Sequence, residues 1–167
     1  MNRRAVIKMT CLALGAAIVM MSVPGCSGTR HKDRFQWAQF VKNAIEYKAA
    51  NKNEPVYFDV PRIMPFAWEE LYVFPPYTSV ESIEKALGFG WGLAKDIGLS
   101  ERDDITLLVF VIRKGVHEYI EQPRSEGDFS RLKTGRPYEP NQAYFEVIEE
   151  DLNGQPWFYF VEAERPR

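Results

Sequence analysis

The stretch ITLLVFVI (Ile105–Ile112) decides the fold, because Thr106 is its only polar residue. A short run of β-branched and other large apolar side chains predicts a β-strand that is buried on both faces or lies at the centre of a sheet. Lys114-Gly115 follows and predicts a tight turn into a second strand at Val116–Glu121. We therefore expect an antiparallel hairpin in the core of the domain.

A second hairpin is predicted near the end of the chain. Asn153-Gly154 separates the apolar stretches 143–150 and 157–163. Asn-Gly between two such stretches is the strongest short-range signal for a hairpin, since both residues tolerate the left-handed backbone that its turn requires. Shorter stretches at 56–60 and 68–74 also have strand composition. The sequence thus predicts at least four antiparallel strands.

Two helices are expected beside these strands. Asp33 is a good N-cap for a helix over about 34–50, with an apolar face at helical spacing. That face comprises Trp37, Phe40, Val41, Ala44 and Ile45. Thr78 and Glu81 predict a capping box for a helix that ends at Gly88. We expect an α+β domain over residues 33–167, in which an antiparallel sheet of four or more strands carries both helices on one face.

The N-terminus has the pattern of an export signal. A short basic segment, Asn2–Lys8, precedes the apolar run Met9–Val23 and the small residue Gly25. The apolar run is shorter than the ~20 residues that cross a bilayer comfortably as a helix. These features together are typical of a secretory signal peptide.

The stretch SVPGC (Ser22–Cys26) resembles the lipobox of bacterial lipoproteins. The resemblance implies cleavage before Cys26, acylation of that cysteine and a lipid-anchored place in the cell envelope. It divides the chain into a signal peptide (1–25), a lipidated cysteine with its tether (26–32) and the domain. Ser27 favours the outer membrane if the host has two. An uncut anchor and an ordinary cleaved signal are the alternatives, and Arg3-Arg4 also resembles a twin-arginine export motif.

Charge and cysteine content narrow the function of the exported part. Removing residues 1–25 removes three cations and no acid, so the net charge changes from −2 to −5. An acidic domain lacks the cations that bind phosphate, so we expect no nucleic-acid partner. With Cys11 removed and Cys26 acylated, the domain has no free thiol and no disulfide.

The residues that usually carry catalysis are sparse. His31 and His117 are the only histidines, and His117 follows a turn where a solvent-facing strand position is expected. No cysteine is left for a nucleophile or a zinc site, so we expect neither metal nor other cofactor. The carboxylate groups Glu69-Glu70, Asp103-Asp104 and Glu149–Asp151 remain. Neighbouring residues of a strand point to opposite faces, so each group alone is a poor catalytic pair.

The segment Gln122–Gln142 is the best candidate for a binding site. Loops of this length are uncommon in compact domains and are usually functional or disordered. Arginines next to aromatic side chains are also typical of interface hot spots. The candidate binding residues are Arg124, Phe129, Arg131, Arg136 and Tyr138. A flexible surface loop is the alternative interpretation.

Three functions remain open from the sequence. The first is a membrane-anchored binding or structural module that presents the segment 122–142, with Trp68 and Tyr77, to an envelope protein or glycan. The second is a hydrolase that cleaves envelope polymers with its carboxylates. The third is an immunity or inhibitor lipoprotein that blocks the cleft of a partner enzyme.

Overall fold

The computed structural model describes residues 28–166, with side chains from residue 34 onwards. The predicted signal peptide and Cys26 lie outside the described residues. Four helices and six strands follow one another in this order: α1 (Gly28–Ala50), β1 (Val56–Asp59), α2 (Val60–Ile63), β2 (Glu70–Phe74), α3 (Val80–Leu87), α4 (Ala94–Ile97), β3 (Ile105–Ile112), β4 (Gly115–Pro123), β5 (Tyr144–Leu152) and β6 (Gln155–Glu162). Single turns of 3-10 helix lie at Leu99–Glu101 and Arg124–Glu126.

The fold is α+β, as predicted, but its strands form two antiparallel sheets. One sheet has the order β1-β5-β6 and the other the order β2-β3-β4. The expectation of one sheet with four or more strands is therefore wrong. The physical reason lies in the pairing: β1 and β2 follow one another in the chain, yet β1 pairs with β5 and β2 pairs with β3.

Strand β3 lies at the centre of its sheet and is buried along both faces, as its composition predicts. Leu108 and Phe110 point into a core that they share with the β1-β5-β6 sheet and α1. Leu107 and Val109 point the other way, into a second core closed by α3 and α4. The helices thus lie on different sides of the β2-β3-β4 sheet, which corrects the expectation that they pack on one face.

Both predicted hairpins form with two-residue turns of left-handed backbone. In the β5–β6 turn, Asn153 and Gly154 have φ values of 55° and 81°. In the β3–β4 turn the left-handed residues are Arg113 and Lys114, with φ values of 49° and 60°. That turn therefore lies one residue earlier than the predicted Lys114-Gly115.

The two predicted helices form with different starting points. Ser79, not Thr78, caps α3 by accepting a hydrogen bond from the backbone N–H of Ser82, and Thr78 donates to the carbonyl of Pro75 instead. Gly88 ends α3 in left-handed conformation, as expected. Residues 28–32 already belong to helix α1, so Asp33 lies inside the helix and does not start it. Among the described residues, no helix combines the length and apolar character needed to cross a bilayer.

Candidate binding groove

The segment proposed for binding is packed into the fold over much of its length. Between β4 and β5, residues 124–143 form what we call the β4–β5 loop. Near its start, the backbone of Asp128 exchanges hydrogen bonds with Phe158 and Phe160 of β6. Further on, Tyr138 exchanges two backbone hydrogen bonds with Leu71 of β2. The loop therefore bonds to an edge strand of each sheet and joins the two.

Phe129 is fully buried in the core that the two sheets share. Its ring stacks on Phe160 with centroids 4.0 Å apart, and it also lies against Trp37 and Phe58. None of its surface is exposed. A buried ring of this kind contributes to stability and offers no surface to a ligand.

Asp128 is a fully buried carboxylate whose hydrogen bonds are satisfied by donors of the loop and of β6. It accepts hydrogen bonds from the guanidinium of Arg124, the indole N–H of Trp157 and the backbone N–H of Ser130. Burial alone would raise the pKa of Asp128, but these donors outweigh burial and lower it. Arg124 is therefore already engaged by a carboxylate of its own loop.

Tyr138 is buried and forms part of a polar cluster at the end of β6. Its hydroxyl donates to Glu162 at 2.6 Å and accepts from the backbone N–H of Lys133 at 2.8 Å. Burial and the Glu162 carboxylate both raise the pKa of Tyr138. Burial would raise the pKa of Glu162, but Lys133, Tyr138 and Arg136 together lower it.

The remaining arginine of the predicted site lies on the outer surface of the β1-β5-β6 sheet. Arg131 forms two hydrogen bonds of 2.6 Å to Glu150 and lies over the ring of Tyr159, 3.5 Å from its centroid. Binding of a ligand by Arg124, Arg131 or Arg136 stays a prediction. Of the two aromatic residues proposed to assist, Trp68 is buried and Tyr77 is exposed.

A groove of about 550 Å³ lies between α1 and the first turn of the β4–β5 loop. We call it the α1 groove. Helix α1 forms one wall with side chains three or four positions apart, which lie on one side of a helix. Phe35, Ala38, Gln39, Val41, Lys42, Ile45 and Glu46 form that wall. The opposite wall consists of Gln122, Ser125, Glu126, Pro156 and Phe158.

Gly127 allows the loop to approach α1 closely beneath the groove. Its φ is 128°, and a Cβ built there would lie 2.8 Å from Val41 and 3.2 Å from Ile45. Any side chain at this position would collide with the helix. The depth and shape of the groove therefore depend on a glycine whose role was not recognised in the sequence.

Next to the groove, one side of α1 between Phe35 and Asn43 forms an exposed, uncharged surface. Phe35 is 72% exposed and Phe40 is 38% exposed. Gln36, Gln39 and Asn43 complete a shallow apolar depression between the two rings. We call these five residues the α1 aromatic face. Phe40 was expected on the buried face of the helix, so the structure corrects its placement.

The sequence contains a signal for this surface that composition alone does not reveal. Phe35 precedes Trp37 by two positions, and residues two apart lie on opposite sides of a helix. Trp37 is buried and donates its indole N–H to Gln122 at 2.8 Å, so Phe35 must face outwards. Because Phe35 and Trp37 cannot both face the core of the same helix, their spacing could have predicted that one aromatic ring is exposed.

The carboxylates considered for catalysis are engaged by donors or exposed. Glu69 accepts from the backbone N–H of Arg113, and Glu70 accepts from the hydroxyl of Tyr72. The Arg102 guanidinium lowers the pKa of Asp104, and Arg131 likewise lowers the pKa of Glu150. A general acid for glycoside cleavage requires the opposite shift. These contacts give no support to the hydrolase hypothesis.

Metal and histidine chemistry gains no support from the geometry either. Within residues 28–166, no three or more His, Cys, Asp or Glu side chains converge on a common point that could hold a metal ion. His117 is exposed on β4 and packs beside Phe66 with ring centroids 4.8 Å apart. It therefore occupies the solvent-facing strand position that the sequence predicts.

No protein-family model, no curated protein and no solved structure matches the chain. The α1 groove is accordingly judged by its own geometry and chemistry.

Proposed function

We propose that the protein is a lipid-anchored lipoprotein of the cell envelope whose domain binds a segment of another envelope protein in the α1 groove. The proposed anchor is supported by the resemblance of Ser22–Cys26 to a lipobox and by the basic and apolar segments before it. The proposed binding site is supported by the shape and lining of the groove. The membrane of residence is proposed to be the outer one if the host has two.

The groove is lined by apolar, polar and charged side chains, and this mixture is the main reason for proposing a polypeptide as its ligand. Along the wall of α1 the groove extends from Phe35 to Glu46, a distance of roughly 16 Å at ~1.5 Å per residue. Its apolar side chains fit apolar side chains of a partner, while the exposed hydroxyl of Ser125 can bond a peptide group. Lys42, Glu46 and Glu126 supply charges of both signs at the rim. Apolar centres with polar rims are typical of protein interfaces.

A glycan is less well supported as the ligand. Sugar rings stack on open aromatic faces. The groove offers one strongly exposed ring, Phe35, and two aromatic rings on the outer β1-β5-β6 surface are already in contact with guanidinium groups. Arg131 lies over Tyr159, and Arg165 lies over Tyr144 at 5.2 Å from the ring centroid. The immunity or inhibitor hypothesis differs from our proposal only in the identity of the partner, which the groove experiment below would reveal.

The anchor is tested by inhibiting the lipoprotein signal peptidase and determining the mass of the N-terminus. We expect untreated cells to yield a chain that begins at an acylated Cys26, and treated cells to accumulate the chain with residues 1–25 attached. A mature chain with an unmodified thiol at Cys26 would refute the anchor.

The groove is tested by photocrosslinking in intact cells from a benzoylphenylalanine placed at Ala38, which is an exposed position of the groove wall. The matched control places the same group at Ala50, an exposed position outside the groove. We expect one discrete protein adduct from position 38 and none from position 50. Mass spectrometry identifies the partner.

Binding is then measured with the purified partner. Ala38→Arg puts a long charged side chain into the groove, and Ala50→Arg makes the same change outside it. We expect Ala38→Arg to weaken binding at least tenfold and Ala50→Arg to leave it unchanged. Equal binding by both variants, or equal adducts from both positions, would show that the groove is not the binding site.

A further inference from the structure

The described part of helix α1 starts close to the proposed anchor in the sequence. It includes Gly28, two positions after Cys26. Phe35 lies seven residues after Gly28, roughly 10 Å along the helix axis at ~1.5 Å per residue. A helix joined so closely to an acylated cysteine holds its N-terminal half next to the bilayer.

Both exposed phenylalanines lie within the first 13 of the 23 described residues of α1. Among side chains 34–166, Phe35 and Phe40 are the only phenylalanines that are exposed. Each of the others is buried or partly buried. Burying these two rings against an apolar partner would be favourable, and the described domain does not supply such a partner.

The chemistry of the α1 aromatic face fits the headgroup region of a bilayer. The face combines two phenyl rings with three side-chain amides and carries no charge. Aromatic side chains of interfacial helices enter the boundary between headgroups and acyl chains, while amides stay hydrated. The sequence shortly before Phe35 contains Arg30 and Lys32 against the single acid Asp33, and a net positive charge favours anionic lipids.

We propose that the α1 aromatic face, centred on Phe35 and Phe40, lies in the headgroup region of the membrane that carries the acylated Cys26. This inference rests on the proposed lipid anchor. It adds an orientation: α1 lies against the bilayer through its N-terminal half, and the end of the α1 groove at Phe35 opens at the membrane surface. The domain is thereby held close to the membrane and does not swing freely on a tether.

The absence of other thiols in the acylated chain provides a clean test. Gln39→Cys introduces one label site in the α1 aromatic face, and Lys85→Cys introduces a control site on the exposed side of α3. The lipidated proteins are labelled with an environment-sensitive fluorophore and reconstituted into vesicles of phosphatidylethanolamine and phosphatidylglycerol that contain nitroxide-labelled lipid. Wild-type protein is treated with the same thiol reagent.

We expect the label at position 39 to be quenched by the nitroxide lipid and blue-shifted relative to detergent, and the label at position 85 to be unaffected. Adding Phe35→Ser and Phe40→Ser should reduce the quenching at position 39 to the level at position 85. Both rings are exposed, so the double variant should keep its thermal unfolding midpoint and still float with the vesicles through its acyl chains.

Three results would overturn the inference, and they are distinguishable. If the wild-type protein accepts the thiol label and does not float, the proposed anchor fails and the inference fails with it. If the wild-type protein takes no thiol label and floats with the vesicles, the anchor stands. If the labels at positions 39 and 85 are then equally hydrated, the orientation is refuted. If position 39 is dehydrated without being quenched by lipid, another protein or a second copy covers the face.

Discussion

The β4–β5 loop and the N-terminal half of α1 show opposite relations between composition and structure. The loop has the composition of a surface binding segment, with glycines, prolines and charges, yet it buries Phe129 and Tyr138 almost completely. The helix has the periodicity of a core element, yet it exposes Phe35 and Phe40 and forms one wall of the groove. Composition therefore predicts the long loop correctly, but it does not predict that the apolar surface lies on α1 and not on the loop.

The difference has a physical cause. The loop connects strands that belong to different sheets, so its path must cross between two sheet edges, and it forms backbone hydrogen bonds to β6 and β2 along the way. Buried backbone groups require such partners, and apolar side chains along the path then fill the space between the sheets. The outer side of α1 needs no such contacts, so Phe35 and Phe40 stay exposed while Trp37 packs into the core.

The largest expected difference between the two regions concerns their phenylalanines. Phe129→Ala should reduce the free energy of unfolding by about 3–5 kcal/mol, because it leaves a cavity among four or more packed rings. Phe35→Ala should change it by less than about 0.5 kcal/mol, because the ring is mostly in water. Urea denaturation of both variants measures these values. Similar losses in the two variants would mean that the contrast between buried loop and exposed helix is wrong.

Two glycines of the β4–β5 loop provide a second comparison, between a position that contacts α1 and one that does not, with a smaller expected difference in stability. Gly127 and Gly135 both have positive φ, at 128° and 76°, but a Cβ would meet Val41 at 2.8 Å only at Gly127. Gly135→Ala should cost about 1 kcal/mol from backbone strain alone. Gly127→Ala should cost about 3 kcal/mol, because steric overlap with α1 is added to the strain.

The two glycine variants are compared by thermal unfolding and by the crosslinking from Ala38. If Gly127 sets the spacing between the loop and α1, its variant should also alter the adduct from Ala38, whereas the Gly135 variant should leave it unchanged. Equal destabilisation by both substitutions would show that the loop can move away from α1 without cost, and that the close approach does not shape the groove.

The sequence predicts the strands better than their arrangement. Ile105–Ile112 and Asn153-Gly154 carry local signals of period and turn chemistry, and both are confirmed. The division into two sheets depends on whether β1 pairs with β5 or with the other strands, and nothing in its four residues encodes that choice. Pairing is decided by packing over long sequence separations, which a single sequence does not display.

The same limit applies to the candidate site. Phe35 could have been placed on the surface from its spacing to Trp37, because helical geometry is local. The opposite wall of the groove, with Ser125 and Phe158, comes from distant parts of the chain. Gly127 looks like any loop glycine until the structure places it against Val41. These contacts are properties of the assembled fold.

The last comparison concerns the charge buried in the loop, and its effect depends on pH. The pKa of Asp128 is lower in the folded state than its ordinary value of 3.8. Its carboxylate therefore stabilises the fold fully above the unfolded pKa, and this contribution is lost as the pH falls through the folded pKa. Asp128→Asn should cost about 1–3 kcal/mol at pH 6, because an amide has one accepting oxygen and leaves at least one of the donors from Arg124, Trp157 and Ser130 without a partner.

The difference in stability between wild type and Asp128→Asn should shrink as the pH is lowered below about 4, because the wild-type carboxyl is then protonated as well. Asp104→Asn is the matched control: the pKa of Asp104 is also lowered, through its hydrogen bonds to Arg102, but the group is exposed. Salt should largely remove the effect of the Asp104 substitution and leave that of Asp128, since exposed pairs are screened and buried ones much less. Equal salt sensitivity of the two variants in urea titrations would mean that the Asp128 network is open to solvent, and the loop would then be the surface segment that its composition suggests.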